Sequence, residues 1–159
     1  MYIQQKQLDN LRKALVPGKV VVIYGARRTG KTTMLQQFLR DVDEPYLLVS
    51  GEDITVQGYL ASQSIEKLSA FVGANRLLIV DEAQKVPNIG ANLKLIVDHI
   101  PEIRVIATGS SSFDLARSIG EPLTGRKTSL KLFPLAQLEI RQIEQRHQTD
   151  ANLETINVS

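Results

Sequence analysis

Short apolar runs alternate with amphipathic stretches along most of the chain. The apolar runs predict strands at 19–24, 46–50, 77–80 and 103–107, and alternating residues predict a half-exposed edge strand at 128–132. Apolar residues near helical spacing predict helices at about 2–15, 31–40, 62–72, 87–100, 113–119 and 135–146. Unbroken apolar strands are typical of a parallel sheet covered by helices on both faces. The pattern therefore predicts an α/β fold with a mainly parallel, five-stranded sheet.

A glycine-containing turn follows the first predicted strand and leads into the second helix. Gly25, Gly30, Lys31 and Thr32 fit the phosphate-binding loop pattern G-x-x-x-x-G-K-[ST], in the strand-before, helix-after context that the pattern requires. Glycine allows the backbone to turn tightly, so that successive amides face a triphosphate at the positive end of the helix. The predicted nucleotide-binding residues are Gly25, Ala26, Arg27, Arg28, Thr29, Gly30, Lys31, Thr32 and Thr33.

Within this loop we expect the Lys31 ammonium to reach the β- and γ-phosphate oxygens. The Thr32 hydroxyl is a predicted Mg²⁺ ligand. Arg27 and Arg28 have two open interpretations: solvated loop positions, or contacts to phosphate or to a partner.

Two carboxylates follow the strand at 77–80, where its carboxyl end opens into the ligand crevice of such folds. Asp81 is the predicted metal ligand, and Glu82 is the predicted catalytic base that orients and deprotonates water. Glu52 and Asp53 follow the second strand. Three interpretations stay open for them: a solvated turn, a helix cap or a contact near the metal. Thr108 and Ser110 follow the fourth strand and are predicted to sense the γ-phosphate, with a helix cap as the alternative.

The arrangement resembles the additional-strand group of P-loop ATPases. More narrowly, residues 23–33, 80–84, 107–111 and 123–126 resemble prokaryotic AAA-type ATPases whose Arg-Arg-containing loop precedes a C-terminal domain of uncharacterised function. The resemblance spans residues 8–139 and implies a three-layer fold with strand order 5-1-4-3-2. It also makes Arg126 a candidate arginine that reaches the γ-phosphate, often from a neighbouring subunit.

The same resemblance suggests how the chain is divided. We expect residues 1–133 to form the ATPase domain with a lead-in helix, and 134–159 to form a helix and tail that begin the connection to a missing domain. Family members are much longer, and they usually have Pro-Leu-Ser-Phe where this chain has Pro-Leu-Ala-Gln at 134–137. We expect a truncated product or a domain fragment.

The composition of the chain excludes several kinds of site and bears on where the protein is expected to be. The chain has 159 residues, no cysteine and a formal net charge of +2, so disulfides and thiolate metal sites are excluded and global charge does not indicate nucleic-acid binding. No apolar run has the roughly 20 residues needed to span a bilayer. We expect a cytoplasmic protein without a membrane span.

The sequence favours hydrolysis of ATP with Mg²⁺ to drive a conformational change, with ATP and ADP as ligands. ATP is preferred over GTP because no Asn-Lys-x-Asp motif follows the later strands. Two alternatives stay open: a nucleotide-gated switch with negligible turnover, and a P-loop small-molecule kinase. The sequence leaves three questions open: whether the protein forms a homo-oligomer, whether it binds a partner protein, and whether it binds nucleic acid.

Overall fold

The computed structural model describes the backbone of residues 2–24, 31–109, 123, 125 and 127–131. Side chains are described for the same residues except 2–5, 31–32 and 127–131. The predicted loop residues Gly25–Gly30, the predicted helices at 113–119 and 135–146, and the predicted boundary at 133 lie outside the described residues. Ser110 and Arg126 also lie outside them.

Five strands and five α-helices alternate through the described part of the chain. The strands are β1 (Val20–Tyr24), β2 (Tyr46–Ser50), β3 (Leu77–Asp81), β4 (Arg104–Gly109) and β5 (Lys127–Lys131). The helices are α1 (Tyr2–Ala14), α2 (Lys31–Arg40), α3 (Ile54–Leu60), α4 (Ile65–Val72) and α5 (Ile89–His99). All five strands lie within two residues of their predicted bounds.

The strands form one parallel sheet in the order β2-β3-β4-β1-β5. Counted from the other edge this is 5-1-4-3-2, so the predicted strand order is confirmed. In the register, Ala107 is level with both Val22 and Val80, and Thr108 is level with Ile23. The carboxyl ends of β1, β3 and β4 therefore meet at one edge of the sheet.

A hydrophobic core covers each face of the sheet. Alternate residues of the fully buried strand β1 point to opposite faces: Val20 and Val22 belong to one core cluster, and Val21 and Ile23 to the other. The first cluster includes residues from α3, α4 and α5, and the second includes residues from α1 and α2. Burying each such side chain contributes about 1.5–3 kcal/mol, so the sheet is held rigidly between two helical layers.

Helix α3 was not predicted. Only Val56 and Leu60 of its seven residues are buried, and Ile54 is 81% exposed, so the hydrophobic stripe is too short to reveal a helix. Asp53 starts this helix instead: one carboxylate oxygen, Oδ1, accepts hydrogen bonds from the amides of Thr55 (2.8 Å) and Val56 (3.4 Å). Of the three interpretations of Asp53, the helix cap is the one observed.

Other helix ends follow the sequence signals. Ser64 caps α4 through a hydrogen bond from the amide of Lys67, and Gly73 ends the helix at a positive φ of 59°. No helix in the described part of the chain is long and apolar enough to cross a membrane.

Replacing the α3 cap should destabilise the fold. We expect Asp53→Ala to lower the free energy of unfolding by about 1 kcal/mol, because two amides at the start of the helix lose their acceptor. Asp53→Asn should retain most of the stability, since the amide oxygen also caps helices. Urea unfolding followed by circular dichroism measures the change. Glu52→Ala, at the exposed neighbouring position, is the matched control; an equal loss in both variants would contradict the capping role.

Candidate nucleotide site

The elements on either side of the predicted phosphate loop have the predicted arrangement. Strand β1 ends at Tyr24 on the edge where the other strands end, and α2 begins at Lys31. One side of α2 is buried against the sheet through Met34, Leu35 and Phe38, and this packing fixes the position of the helix. Thr33, in the first turn, is exposed. The strand-before, helix-after context is confirmed, while the loop itself lies outside the described residues.

Asp81 and Thr108 come together at this edge. Asp81 is the last residue of β3, and Thr108 is the next-to-last residue of the adjacent strand β4. Thr108 is fully buried, and its hydroxyl donates a hydrogen bond to Oδ1 of Asp81. A hydrogen bond to a charged acceptor is stronger than one between neutral groups. The contact therefore fixes the orientation of the Asp81 carboxylate, and it connects Thr108 to the site through Asp81.

Glu82 leaves the line of the strand. Its backbone has left-handed dihedral angles, φ 51° and ψ 46°, and the chain then enters a 3-10 turn at Ala83–Lys85. Such a conformation costs a residue other than glycine roughly 1 kcal/mol or more, so the surrounding structure has to impose it. The Glu82 residue is only 7% exposed, and Ala83 beside it is fully buried. The carboxylate is thus held at the sheet edge, next to Asp81.

Gly51 is part of what holds this turn. Its amide donates a hydrogen bond of 2.7 Å to the carbonyl of Asp81. A Cβ atom at position 51 would lie 2.3 Å from the carbonyl oxygen of Glu82, which is closer than atoms can approach. Glycine is required because the ends of β2 and β3 pack backbone against backbone. The Gly51 carbonyl is held in turn by Nε2 of Gln57 at 2.8 Å.

Gln84 is a site residue that the sequence analysis did not single out. It lies in the 3-10 turn, and its Nε2 lies 3.4 Å from Oε2 of Glu82. A side chain two residues further along reaches back to Glu82 only because the chain turns sharply there. The spacing Asp-Glu-x-Gln is the signal that sequence analysis had available, but nothing in a linear pattern indicates the direction of that turn.

The chemistry of the site suits a hard cation held together with phosphate. Among the described residues no group of three or more His, Cys, Asp or Glu is placed to hold a metal by itself. Mg²⁺ usually takes one or two protein carboxylates, and phosphate oxygens complete its shell. The Asp81 carboxylate, at the carboxyl end of β3, is a donor of this kind, and its oxygen atoms fit Mg²⁺. The side chain of Thr32 lies outside the described residues.

Removing the Thr108 hydroxyl should be costly. We expect Thr108→Val, which keeps the shape, to lower the free energy of unfolding by about 1.5–3 kcal/mol, because the half-buried Asp81 carboxylate loses a donor. Thr108→Ser should retain the donor and most of the stability. Chemical denaturation measures both. Thr55→Val, at an exposed position of α3, is the control; wild-type stability of Thr108→Val would contradict the role assigned to this hydrogen bond.

Comparison with known proteins places the chain in a family. A family model described as AAA domain matches residues 17–141. An uncharacterised protein of Mycobacterium tuberculosis is 31% identical over 134 residues, which cover 84% of this chain and 28% of that protein. An uncharacterised protein of Methanocaldococcus jannaschii is 30% identical over 124 residues, which cover 76% of this chain and again 28% of the relative. The chain thus spans just over a quarter of the length of these relatives.

Solved structures agree on the fold. The Walker-type ATPase PabY2304 of Pyrococcus abyssi aligns with a TM-score of 0.54 at 18% identity, covering 91% of this chain and 57% of that one. Domain III of the replication initiation protein DnaA from Thermotoga maritima aligns with a TM-score of 0.57 at 16% identity, covering 93% and 70%. With the family match over most of its length, this chain belongs to the AAA domain family of P-loop ATPases.

Proposed function

We propose that the protein binds ATP with Mg²⁺ and hydrolyses it to drive a conformational change. The observation that carries the proposal is the placement of Asp81 and Glu82 at the carboxyl end of β3, next to the end of β4 and one strand away from the end of β1. Ligands of open α/β sheets bind at this edge. An acidic pair there, in a chain whose first strand is followed by a phosphate-loop sequence and a helix, suits a triphosphate and its metal.

Residues 25–33 would bind the nucleotide through their backbone amides. The start of α2 adds the positive end of the helix dipole, which favours phosphate. Lys31 would stabilise the charge that develops on the transferring phosphoryl group. Thr32 and Asp81 would hold the Mg²⁺, which neutralises phosphate charge when bound. The hydrogen bond from Thr108 supports this role, because it orients the Asp81 carboxylate before any ligand arrives.

Glu82 would act as the catalytic base. Its carboxylate accepts a proton from water as the water oxygen attacks the γ-phosphorus, and the bond from phosphorus to the bridging oxygen of ADP breaks. The low exposure of Glu82 supports this role, since electrostatic interactions are stronger where water is excluded.

Three further residues complete the proposed site. Thr108 and Ser110 would report the presence of the γ-phosphate, with Thr108 acting through the Asp81 carboxylate that it contacts. Arg126 would stabilise the transition state, within the same subunit or from a neighbour in a homo-oligomer; an arginine in this role contributes about 10³–10⁵ in rate.

The decisive experiment is Glu82→Gln in the full-length protein. We expect the variant to bind ATP normally and to lose about 10²–10⁴ of the turnover, because an amide cannot accept the proton of water. Release of inorganic phosphate measures turnover, and a fluorescent ATP analogue measures binding. Glu52→Gln, an exposed glutamate at the end of the adjacent strand, is the matched control. Hydrolysis by Glu82→Gln at the wild-type rate would remove Glu82 from the mechanism.

The same assay separates hydrolysis from a nucleotide-gated switch. In a single-turnover measurement with excess wild-type protein, a working ATPase converts bound ATP to ADP and phosphate within minutes. Bound ATP that persists for hours would instead favour the switch. Transfer of the labelled γ-phosphate to an added small molecule rather than to water would favour a kinase.

A further inference from the structure

We propose that Gln84 is a positioning residue for Glu82, retained for turnover rather than for folding. The inference rests on the proposed function, since it takes Glu82 as the catalytic base. It concerns a side chain that neither the family pattern of loop and acidic pair nor the fold assigns to any task. Three features of the structure support it: the contact between the two side chains, a buried amide oxygen with no hydrogen-bond partner among the described residues, and the backbone conformation that brings the two side chains together.

Only one orientation of the Gln84 amide makes a favourable contact with the Glu82 carboxylate. A carboxylate can only accept hydrogen bonds, whereas a carboxamide offers one donor atom and one acceptor atom. The amide nitrogen of Gln84 must therefore face Oε2 of Glu82, as it does at 3.4 Å. This distance is longer than a good hydrogen bond, and such contacts in catalytic sites often shorten only when substrate is bound.

The amide oxygen of Gln84 argues against a purely structural role for this side chain. Oε1 of Gln84 is shielded from solvent, and it has no hydrogen-bond partner in the described part of the structure. A buried acceptor without a donor destabilises a fold, and native proteins keep few of them. Leucine or methionine would fill the same space without that penalty. The amide is thus costly for folding, and its hydrogen-bond partner within the described part of the chain is the predicted base.

The backbone explains how the contact arises. The left-handed conformation of Glu82 and the 3-10 turn after it fold the chain back, so that side chains two residues apart meet. Ala83 and Val86 are buried on either side of Gln84, and Gly51 packs against the carbonyl of Glu82. These contacts fix the backbone of Glu82. At the end of the side chain, the amide of Gln84 adds a contact with the Glu82 carboxylate.

Gln84→Met tests the inference, because methionine keeps the length of the side chain and removes both polar atoms. In the full-length protein we expect the single-turnover rate to fall by about 10- to 100-fold, the loss typical of residues that orient a catalytic group. We expect the affinity for ATP to be unchanged. The melting temperature should stay the same or rise, because the substitution removes a buried oxygen atom that has no hydrogen-bond donor in the described part of the chain. Gln36→Met, on the exposed side of α2, is the matched control.

A double variant shows whether Gln84 acts through Glu82. In the Glu82→Gln background, Gln84→Met should cause no further loss of rate, because the group that it positions is already absent. A further loss of the same size would mean that Gln84 acts independently of Glu82, and it would overturn the inference.

The remaining outcomes separate this inference from the function on which it rests. Hydrolysis by Gln84→Met at the wild-type rate, or a loss of rate accompanied by a lower melting temperature, overturns the positioning role and leaves the ATPase proposal intact. Absence of turnover in the wild-type protein overturns the ATPase proposal, and the role of Gln84 with it.

Discussion

The hydrogen bond from Thr108 to Asp81 links the adjacent inner strands β4 and β3 at the edge of the sheet where the candidate site begins. It exists because β3 and β4 are parallel neighbours, and Asp81 and Thr108 directly follow the paired residues Val80 and Ala107. A buried hydroxyl and a half-buried carboxylate are costly to desolvate separately, and each stabilises the other when paired. The sheet thereby holds the Asp81 carboxylate, the proposed metal ligand, in a fixed orientation. The rest of the site is arranged around this pair.

The turn after Asp81 shows how a fold stores an unfavourable conformation at a functional site. Glu82 adopts left-handed backbone angles that glycine would adopt more easily, yet glycine there would have no carboxylate. Glycine appears at position 51 instead, where the neighbouring strand must approach the Glu82 carbonyl closely. The two positions have different roles: Glu82 carries the proposed catalytic carboxylate, and Gly51 leaves space for the Glu82 carbonyl. The stable sheet beneath them, buried on both faces, offsets the local strain.

Stability and activity make different demands on this small region. Thr108 and Asp81 satisfy each other, so this pair serves the fold as well as the site. Gln84 does not fit that pattern, because one of its amide atoms is buried without a hydrogen-bond partner among the described residues while the other faces Glu82. Residues that weaken a fold locally are common at functional sites, where function outweighs the cost in stability. This contrast is the physical basis for assigning the two side chains different roles.

The sequence by itself determined the strands, the strand-to-helix context of the phosphate loop and the acidic pair, because apolar runs and fixed motif spacing are local properties of the chain. Its resemblance to known ATPases also supplied the strand order, which local patterns do not contain. Helix α3 was missed, since two buried residues make too weak a periodic signal. Only the tertiary structure showed that Thr108 binds Asp81, that Asp53 caps a helix and that Gln84 reaches Glu82. The Thr108 contact depends on strand register and the Gln84 contact on a left-handed turn, and neither is visible in the order of residues. The Asp53 cap is a local contact, but only the structure distinguishes it from the other two interpretations of that residue.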